Sequence, residues 1–353
     1  MAQASNARRG GKPRVSIRDI AHDAGVSPAT VSAFLSGKRP VSAATRSRIQ
    51  AAIAASGYRA NAAAKALAHG RTNTIGLLIP PVGRSLSTFE ADFIASVVQE
   101  ARAADYDVLV STALEEDKVF SRLVQEERVD GIILLEICLE DQRVERLGAA
   151  GVPFVAVGRT ANPSSLTWVD IDFAGLVQAF VRHLVDLRHH DIVLFNSSAY
   201  QFARGYGPAR RAREGFEQAC QDLGARGRIV YGEANLEAGL RDTQRLIAEG
   251  NPFTGIVVIN DYAIWGIYQA LTMAGIRIPQ DVSVIALADS RWAEAVSPRL
   301  TAAQHPVAEM GVETVRLLLG LLADPDSPPT SCLLQPPIIL RESTAAAPLV
   351  PDH

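Results

Sequence analysis

Residues 15–36 read VSIRDIAHDAGVSPATVSAFLS, a stretch that predicts two short helices joined by a tight turn. Ser16, with Asp19 three residues later, forms the capping-box pattern of a helix start. Gly25 supplies the backbone freedom that the turn requires, and Ser27 can cap the second helix. Two helices joined in this way form a helix-turn-helix, which in DNA-binding proteins places its second helix in the major groove.

The second predicted helix has one apolar face and one face of small residues. Val31, Phe34 and Leu35 are spaced to pack against the first helix. The residues expected to face outward are Ala29, Thr30, Ala33 and Ser36. Small outward side chains favour close approach to DNA. A helical hairpin inside an ordinary core is the alternative interpretation.

The charge distribution of the chain is strongly asymmetric. Residues 1–70 carry 11 Lys/Arg against two acids, a net charge of +9, whereas the remaining residues carry 24 Lys/Arg against 36 Asp/Glu, a net charge of −12. Four of the basic residues lie in the polar segment 1–14, which we expect to be disordered. Without that segment the front of the chain still carries +5. A basic front on an acidic body is typical of a nucleic-acid-binding arm.

Two further helices are predicted before the large part of the chain. One runs from its N-cap Ser42 to Ser56. The other begins near Asn61, ends at Gly70 and is too short to be stable alone in water. It is either a plain linker or a hinge that folds against DNA. In the second interpretation Leu67 wedges a minor-groove base step, with the basic side chains Lys65 and His69 near phosphates.

Length and composition limit the class of protein. A chain of 353 residues with 48% hydrophobic residues can form one small domain and a larger, bilobed one. No apolar run approaches the ~18 residues needed to span a bilayer, and the polar N-terminus does not resemble a secretory signal. The cysteines Cys138, Cys220 and Cys332 lack metal-like spacing and are expected to be core residues in a reducing compartment. We therefore expect a cytoplasmic protein with no membrane partner.

From Thr74 onward, short apolar runs alternate with helix-like stretches of 10–16 residues. Such runs predict buried parallel strands. The first series comprises residues 74–80, 106–111, 131–137 and 153–158, and the second comprises 191–198, 227–233, 254–260 and 281–289. Two series predict two α/β lobes with parallel sheets. Ligands of such sheets bind beyond the carboxyl ends of the strands, here in the cleft between the lobes.

The sequence predicts no catalytic residues, no cofactor and no metal. It has no Walker P-loop, no G-x-S-x-G and no H-E-x-x-H. His183, His189, His190 and Asp191 form a cluster that suggests a metal site at first. They straddle a predicted helix end and strand start, so their side chains should diverge. An enzyme is therefore not expected.

The chain resembles the LacI/GalR-type transcriptional regulators, the lactose-repressor family. The similar segments run from about residue 15 to 343 and include IRDIAHDAGVSPATVS, NAAAKALAHGRTNTIGLLIP, VDGIILL, VDIDFAGL, NDYAIWGIYQAL, IPQDVSVIALAD and PPIILRES. The combination of the helix-turn-helix with the hinge is the part of the resemblance that is specific to this family. The large part alone is less specific, because secreted sugar-binding proteins are similar to it too.

The resemblance implies a small all-α helix-turn-helix headpiece and an α/β two-lobed body like a periplasmic binding protein. It divides the chain into a disordered tail (1–14), a DNA-binding domain (15–60), a hinge (61–72), an effector-binding and dimerisation domain (73–343) and a short tail (344–353). It further implies a homodimer on a near-palindromic operator of double-stranded DNA. A small-molecule effector, a sugar or related metabolite, would modulate the operator affinity of this regulator, most simply a repressor.

The resemblance also assigns DNA contacts to individual residues. Recognition-helix contacts fall to Ser27, Pro28, Ala29, Thr30, Ser32, Ala33 and Ser36. Minor-groove roles fall to Asn61, Ala64 and Leu67. Backbone contacts fall to Tyr58, Ser42 and Thr45, and the expected interface also includes Ile17, Arg18 and Lys65.

Three alanines depart from the family pattern in this region. Relatives often carry a large polar residue at Ala29 and an arginine at Ala33, whereas alanine offers only apolar contact, for example to a thymine methyl. Ala60 replaces a common proline, so the hinge is less constrained. Direct readout should be weaker, and shape readout at the hinge should carry more of the specificity.

For the effector, the resemblance assigns residues on both sides of the cleft. The expected set is Phe89, Glu90, Arg210, Arg211, Arg213, Asn260, Asp261, Asp289 and Trp292. Spacing does not choose among the three arginines.

Two positions of this expected site bear on the ligand class. A carboxylate that commonly holds a sugar hydroxyl aligns with Ala288, which argues against an ordinary aldose unless Asp289 substitutes. Trp265 and Trp292 either stack on a ligand or simply pack in the core.

Two other functions remain open at this stage. A solute-binding protein with the same body is opposed by the basic arm. A sequence-indifferent architectural DNA binder would not need the body, although the small recognition face is compatible with it. Our preferred mechanism is that ligand closure of the cleft rotates one lobe, changes the spacing of the two hinges in the dimer and shifts their folding on DNA.

Overall fold

The computed structural model describes residues 15–36, 40–56, 71–79, 86–112 and 117–348. It divides close to residue 74 into two compact units. We call the described residues before this point the headpiece and those after it the body, and describe each by itself. The described helices are all too short or too polar to cross a membrane.

The headpiece contains the predicted helix-turn-helix. Its described helices are α1 (Ile17–Asp23), α2 (Pro28–Ser36) and α3 (Ala43–Ser56). The capping box is confirmed: the Asp19 amide donates to Ser16 Oγ at 3.4 Å, and the Ser16 amide donates to Asp19 Oδ2 at 2.8 Å. Gly25 has a φ of 60°, the left-handed conformation that the tight turn requires.

The headpiece has its own small hydrophobic core. Ile20 of α1, Val31 of α2 and Ile49 of α3 are fully buried and pack together. Phe34 and Leu35 are partly buried against this core, as their spacing predicts. Ala21, Ala24 and Ala52 complete the buried cluster, and the N-terminal residues Pro28 and Ala29 of α2 remain exposed.

The body alternates helices and strands along its length. Its described helices are α4 (Thr88–Ala103), α5 (Asp117–Phe120), α6 (Gln142–Ala150), α7 (Phe173–Asp186), α8 (Ala199–Ala203), α9 (Gly207–Leu223), α10 (Leu236–Ala248), α11 (Ile264–Met273), α12 (Ser290–Ala295) and α13 (Val307–Ala323). A π-helical turn, Ser121–Gln125, follows α5, and a 3-10 turn, Asp261–Ala263, precedes α11.

The strands of the body form two six-stranded sheets. They are β1 (Thr74–Ile79), β2 (Asp107–Thr112), β3 (Gly131–Leu135), β4 (Phe154–Val157), β5 (Trp168–Ile171), β6 (Asp191–Asn196), β7 (Arg226–Tyr231), β8 (Gly255–Val258), β9 (Ser283–Leu287), β10 (Thr301–Ala303), β11 (Ser331–Leu334) and β12 (Ile338–Ile339). The eight predicted strands are all present, and no end differs from its prediction by more than two residues.

The first lobe is built on a sheet with the order β11-β5-β4-β3-β1-β2. Leu77 of β1 lies opposite Ile133 of β3 in parallel register. Helices α4 and α13 cover one face, where Phe93 and Leu318 are fully buried. The near-continuous apolar runs of these strands follow from burial on both faces.

The second lobe is built on a sheet with the order β12-β10-β9-β8-β6-β7. Its described pairs are parallel except for β10 with β12, which is antiparallel. Val257 of β8 lies opposite Ile285 of β9. Helix α7 packs its buried Val177, Phe180 and Leu184 against this sheet.

The chain crosses between the lobes three times, which the sequence analysis did not predict. The crossings join β5 to α7, β10 to α13 and β11 to β12. The strands missed from sequence, β5, β10, β11 and β12, all adjoin these crossings. Two crossings are bonded to each other, since the Asp172 amide donates to the Leu334 carbonyl at 2.9 Å and Gln335 Nε2 donates to Asp172 Oδ2 at 3.1 Å.

The segment from residue 344 to 348 is part of the second lobe, which corrects its prediction as a tail. The Ala345 amide donates to Ser283 Oγ at 3.1 Å, and the Ala347 amide donates to the Leu187 carbonyl at 2.8 Å. The ring of His189 also contacts this segment, with Nε2 2.9 Å from the Ala345 carbonyl oxygen. Within the described residues, no group of His, Cys, Asp and Glu side chains could hold a metal ion.

Candidate nucleic-acid interface and ligand cavity

The outer face of α2 is the candidate DNA-reading surface of the headpiece. Ser27, Pro28 and Ala29 are exposed, while Thr30, Ser32 and Ala33 are partly exposed. The described α2 and α3 contain no acidic residue. Nothing on this face therefore repels phosphates.

Ser27 and Thr30 form a local polar pair at the start of α2. The Thr30 amide donates to Ser27 Oγ at 3.1 Å, which confirms Ser27 as the helix cap. The two hydroxyl oxygens lie 2.8 Å apart. Each hydroxyl keeps further hydrogen-bonding capacity, so the pair can present both a donor and an acceptor toward a base edge or phosphate.

Helix α3 begins with the same arrangement. The Thr45 amide donates to Ser42 Oγ at 3.3 Å, and Ser42 Oγ donates to Thr45 Oγ1 at 2.9 Å. Arg18, on α1, has an exposed side chain suited to phosphates. The side chain of Ile17 is partly buried against the headpiece core. Its expected DNA contact stays a prediction.

Several expected DNA contacts lie outside the described residues. These are Tyr58, Asn61, Ala64, Lys65 and Leu67, and for Ser36 only the backbone is described. Their roles stay predictions from the sequence.

A cavity lies in the body between the two lobes, beyond the carboxyl ends of the strands. Its first-lobe lining includes Leu135, Val157 and Asp170, and its second-lobe lining includes Ile259 and Asn260. Its volume is about 140 Å³, close to the roughly 150 Å³ of an engineered cavity that binds benzene. Without movement of the lobes it accommodates about one small ring.

Three of the residues expected at the effector site line this cavity: Phe89, Asn260 and Asp261. The Phe89 ring packs on the ring of His305, with centroids 5.2 Å apart. Burial lowers the pKa of His305 to about 4, so its ring is neutral at physiological pH. Asn260 Nδ2 donates to the carbonyls of Gly232 and Glu233 at 3.0 and 3.1 Å.

Glu90 does not face the cavity, which corrects the sequence prediction. It is buried and closes a second capping box at the start of α4. The Glu90 amide donates to Ser87 Oγ at 2.9 Å, and the Ser87 amide donates to Glu90 Oε2 at 2.5 Å. The sequence STFE, residues 87–90, carries the same capping-box pattern as Ser16 and Asp19.

The three candidate arginines of α9 have different surroundings. Arg213 forms an exposed ion pair with Glu217 at 2.7 Å. Arg210 lies over the ring of Phe202, 3.9 Å from its centroid. Only Arg211 of the three is buried, and its guanidinium reaches the other lobe. The structure therefore separates candidates that the spacing left equal.

Asp289 and Trp292, expected at the effector site, do not line the cavity. Ala288 is fully buried. Asp289 caps α12, since the Arg291 amide donates to its Oδ1 at 2.8 Å, and it is also paired with the Arg291 guanidinium. Trp292 lines a neighbouring pocket instead of the cavity. The Asp289 carboxylate is thus engaged by Arg291, and Asp289 is not among the residues that line the cavity.

Asp170 is the main cavity residue that the sequence analysis missed. Its Oδ2 lies 3.6 Å from Arg159 Nη1 and 3.7 Å from Arg211 Nη1. All three atoms are buried without a hydrogen-bond partner. Burial raises the pKa of Asp170 to about 6, although the two guanidinium groups oppose this shift.

The unpartnered atoms around Asp170 indicate a place for a ligand or water oxygen. Buried polar atoms in native proteins nearly always have partners. Separations of 3.6–3.7 Å are too long for direct hydrogen bonds. A hydroxyl oxygen placed among the three could accept from a guanidinium and donate to the carboxylate. The sequence signal was the acidic pattern VDID at the end of β5, where parallel strands present their ligands.

The two lobes contact each other on either side of the cavity. The Leu139 amide donates to the Gly205 carbonyl at 2.7 Å. Arg211 Nη2 donates to the carbonyls of Arg159 and Thr160 at 2.8 and 3.3 Å. At another point Arg291, on α12, donates to Asp92 Oδ2, on α4, at 2.5 Å. These contacts join residues that would separate if the lobes opened.

Family models match both units of the chain. Residues 16–61 match the model described as "Bacterial regulatory proteins, lacI family". Residues 181–344 match the model described as "Periplasmic binding protein-like domain". The helix-turn-helix falls within the first matched region, and most of the second lobe, together with α13 and β11 of the first lobe, falls within the second.

The chain is also similar to known proteins over almost its full length. It is 30% identical to the HTH-type transcriptional regulator AglR of Rhizobium meliloti (95% of each chain) and 32% identical to MalR of Streptomyces coelicolor (94% of this chain, 97% of MalR). A lac repressor dimer bound to operator and the anti-inducer ONPF matches with a TM-score of 0.82, 25% identity and coverage of 94% of this chain and all of that one. A CelR–cellobiose complex matches with a TM-score of 0.69 at the same identity and coverage.

Proposed function

The chain belongs to the LacI family of transcriptional regulators, and from this premise we propose that a carbohydrate held between its two lobes sets its affinity for operator DNA. It is a DNA-binding regulator with a helix-turn-helix headpiece and a two-lobed α/β body. Its relatives are named regulators, and we assign it no catalytic activity. Because its partner is chromosomal duplex DNA, the proposal places it in the cytoplasm.

In the proposed complex α2 enters the major groove with its exposed N-terminal half. Ala29 and Ala33 offer apolar contact, while Thr30 and Ser32 offer hydroxyls. The N-termini of α2 and α3 and the exposed Arg18 would hold the DNA backbone. Asn61, Ala64, Lys65 and Leu67, outside the described residues, are assigned to the minor groove by family resemblance alone.

The unpartnered cluster of Asp170, Arg159 and Arg211 is the observation that carries the effector part of the proposal. A sugar hydroxyl both donates and accepts hydrogen bonds, which suits a carboxylate beside two guanidinium groups. Asn260 and Asp261 supply further polar groups, and Phe89 supplies an apolar wall. Asp170 also provides a carboxylate where Ala288 cannot, so a sugar is compatible with the site. The relative CelR has been solved with cellobiose.

Arg211 provides the proposed link between ligand and lobe movement. It is anchored in the second lobe on α9, yet it bonds to two carbonyls and faces a carboxylate of the first lobe. A ligand oxygen that satisfies Arg211 and Asp170 together favours the closed arrangement over an open one. Differential binding of this kind is the requirement for a population shift. The sign of the response is left to experiment.

We further propose that the protein acts as a homodimer. Leu109 and Val110 are exposed on β2, an edge strand of the first sheet. Val98 is exposed on α4, the helix that precedes β2 in the chain. An exposed apolar edge is normally covered. The lac repressor that this chain resembles was solved as a dimer on its operator.

The alternatives make different predictions for DNA binding. An architectural DNA binder would bind all duplexes equally, and a solute-binding protein would bind none. The match of the headpiece to a regulatory family favours sequence-specific binding. We expect selection from a random duplex pool to yield one near-palindromic sequence.

Electrophoretic shift of the selected duplex against random DNA, at several salt concentrations, tests the function. The selected duplex should bind at least about 10³-fold more tightly than random DNA. Both affinities should fall as the salt concentration rises, because phosphate contacts release counterions. Equal affinity for the selected and the random duplex would refute sequence-specific DNA binding and with it the proposed regulatory function.

A further inference from the structure

Arg143 and Asp141 form a buried ion pair in the first lobe, outside both regions that the family models match. Arg143 lies in the first turn of α6, and Asp141 is the residue that caps this helix. Their side chains are only 12% and 5% exposed. A buried ion pair needs hydrogen bonds that compensate for the water it has lost. The further partners of the two side chains therefore show what the pair holds in place.

The guanidinium group of Arg143 ties the end of β3 to the start of α6. Its Nε and Nη2 donate to the two carboxylate oxygens of Asp141 at 2.9 and 2.7 Å. Its Nη1 donates to the Leu135 carbonyl at 3.2 Å, and its Nη2 also donates to the Glu136 carbonyl at 2.8 Å. The planar fork of an arginine can serve a carboxylate and other acceptors together, which the ammonium of a lysine cannot do in the same way.

Asp141 holds the chain between β3 and α6 from the other side. Its Oδ2 accepts from the Cys138 amide at 3.1 Å, and its Oδ1 accepts from the Arg143 amide at 3.1 Å. Burial by itself would raise the pKa of Asp141, but the hydrogen bonds and the charge of Arg143 lower it. The carboxylate is therefore ionised at physiological pH and stays paired.

Residues 136–139, which we call the β3 turn, have a backbone conformation that the chain does not favour by itself. Glu136 has a φ of 56°, in the left-handed region that favours glycine. A residue of this kind keeps such a conformation only where its surroundings determine it. Here Arg143 bonds to the Glu136 carbonyl and Asp141 bonds to the Cys138 amide. The ion pair therefore determines the path of the β3 turn.

The β3 turn belongs both to the cavity and to the junction of the lobes. Glu136 and Ile137 line the cavity. The Leu139 amide donates to the Gly205 carbonyl of the second lobe at 2.7 Å, and the Gly207 amide of the second lobe donates to the Ile137 carbonyl at 3.3 Å. A change in the path of this turn would alter the cavity wall and the main-chain contact between the lobes together.

We propose that Arg143, paired with Asp141, is a positioning residue of the site between the lobes. It acts through the β3 turn and not by touching a ligand. The inference rests on the proposed function only in taking the cavity as the effector site. Without Arg143 the β3 turn would leave its present path more often, and the lobes would separate more readily at the main-chain bonds of Leu139 and Gly207.

Hydrogen exchange of the full-length protein, without DNA or ligand and read by mass spectrometry, tests the positioning role. Arg143→Met removes every donor of the side chain. Exchange at the amides of Leu139 and Gly207 should become at least about tenfold faster. Exchange at the amide of Ile133, in the centre of β3, should change by less than about twofold. Gly207 is the decisive position, because it lies in the other lobe and its amide bonds to the β3 turn.

Three further variants make the result interpretable. Arg316→Met breaks an exposed ion pair with Glu313 in the same lobe and should leave exchange at all three amides unchanged. Arg143→Lys keeps a charged donor beside Asp141 and should recover part of the protection that methionine loses. If Arg143→Met folds poorly, Asp141→Asn keeps a cap for α6 without the charge, and it should accelerate exchange at the same two amides.

Two results would overturn the inference. An equal rise at all three amides would show that Arg143 only stabilises the first lobe, and unchanged exchange at Leu139 and Gly207 would show that the β3 turn keeps its path without it. In both cases the regulatory function stands if the protein still prefers its selected duplex. A selected duplex that binds no more tightly than random DNA would refute the proposed function, whereas the exchange rates would still decide the positioning role.

Discussion

Effector affinity should depend on pH through Asp170. Its pKa is raised to about 6 by burial, so the ionised fraction falls from about 0.97 at pH 7.5 to about 0.09 at pH 5. The ionised carboxylate accepts the ligand hydroxyl, whereas the protonated form loses one acceptor position. If only the ionised form binds, affinity for the carbohydrate effector falls about tenfold over this range.

The charged groups beside Asp170 are the guanidinium groups of Arg159 and Arg211 and the carboxylate of Asp172. Burial lowers the pKa of Arg211, an effect that Asp170 opposes. His305 has a pKa lowered to about 4 and is mainly neutral down to pH 5.

The contribution of Asp170 to folding stability changes with pH in the opposite direction from ligand affinity. A carboxyl whose folded pKa is raised makes its full contribution to folding stability below the unfolded pKa of 3.8, and that contribution decreases as the pH rises to about 6.

Calorimetric titration of the effector at pH 5, 6, 7 and 7.5 and constant ionic strength measures the pH dependence of its affinity. Asp170→Asn should abolish the pH dependence. A flat profile for the natural protein, or the same slope in the variant, would refute the assignment of Asp170.

Three further substitutions test other parts of the structure. Arg211→Met removes two lobe-to-lobe hydrogen bonds and should weaken effector binding at least about tenfold. Arg213→Met, on the same helix, should leave the effector affinity unchanged. Equal effector affinities of the two variants in calorimetry would contradict the role of Arg211 as a link between the lobes. Gly266→Ala forces a Cβ against the backbone of α10 and should lower the free energy of unfolding by about 1–3 kcal/mol, while Gly148→Ala, with nothing within 4 Å, should be neutral or slightly stabilising in thermal melts. Thr30→Val removes a hydroxyl at the start of α2 and should change the base preference at one half-site position; an identical selected sequence would show that Thr30 does not read bases.

The headpiece could be predicted almost completely from sequence because its signals are local. The capping box of Ser16, the turn at Gly25 and the cap at Ser27 each lie within a few residues of the element they define. The second capping box, at Ser87 and Glu90, carried the same local signal. Reading it would have removed Glu90 from the expected ligand set.

The ligand cavity was predicted less well because the fold brings its residues together from distant parts of the chain. Asp170 and Arg211 lie 41 positions apart in the chain and on different lobes, so no spacing rule connects them. Choosing among the arginines of α9 required knowing which side of the helix faces the first lobe. The short strands at the lobe crossings were missed for a related reason, since their partners lie far away in sequence.

The interleaved path of the chain between its lobes has a consequence for synthesis. The first sheet takes its last strand, β11, from residues 331–334, and the second takes β12 from residues 338–339. Synthesis must therefore reach residue 331 before the first sheet can be completed and residue 338 before the second can. The described helices of the headpiece, in contrast, are all made before the first strand of the body, so a nascent chain could present a folded DNA-reading module before its sensor exists.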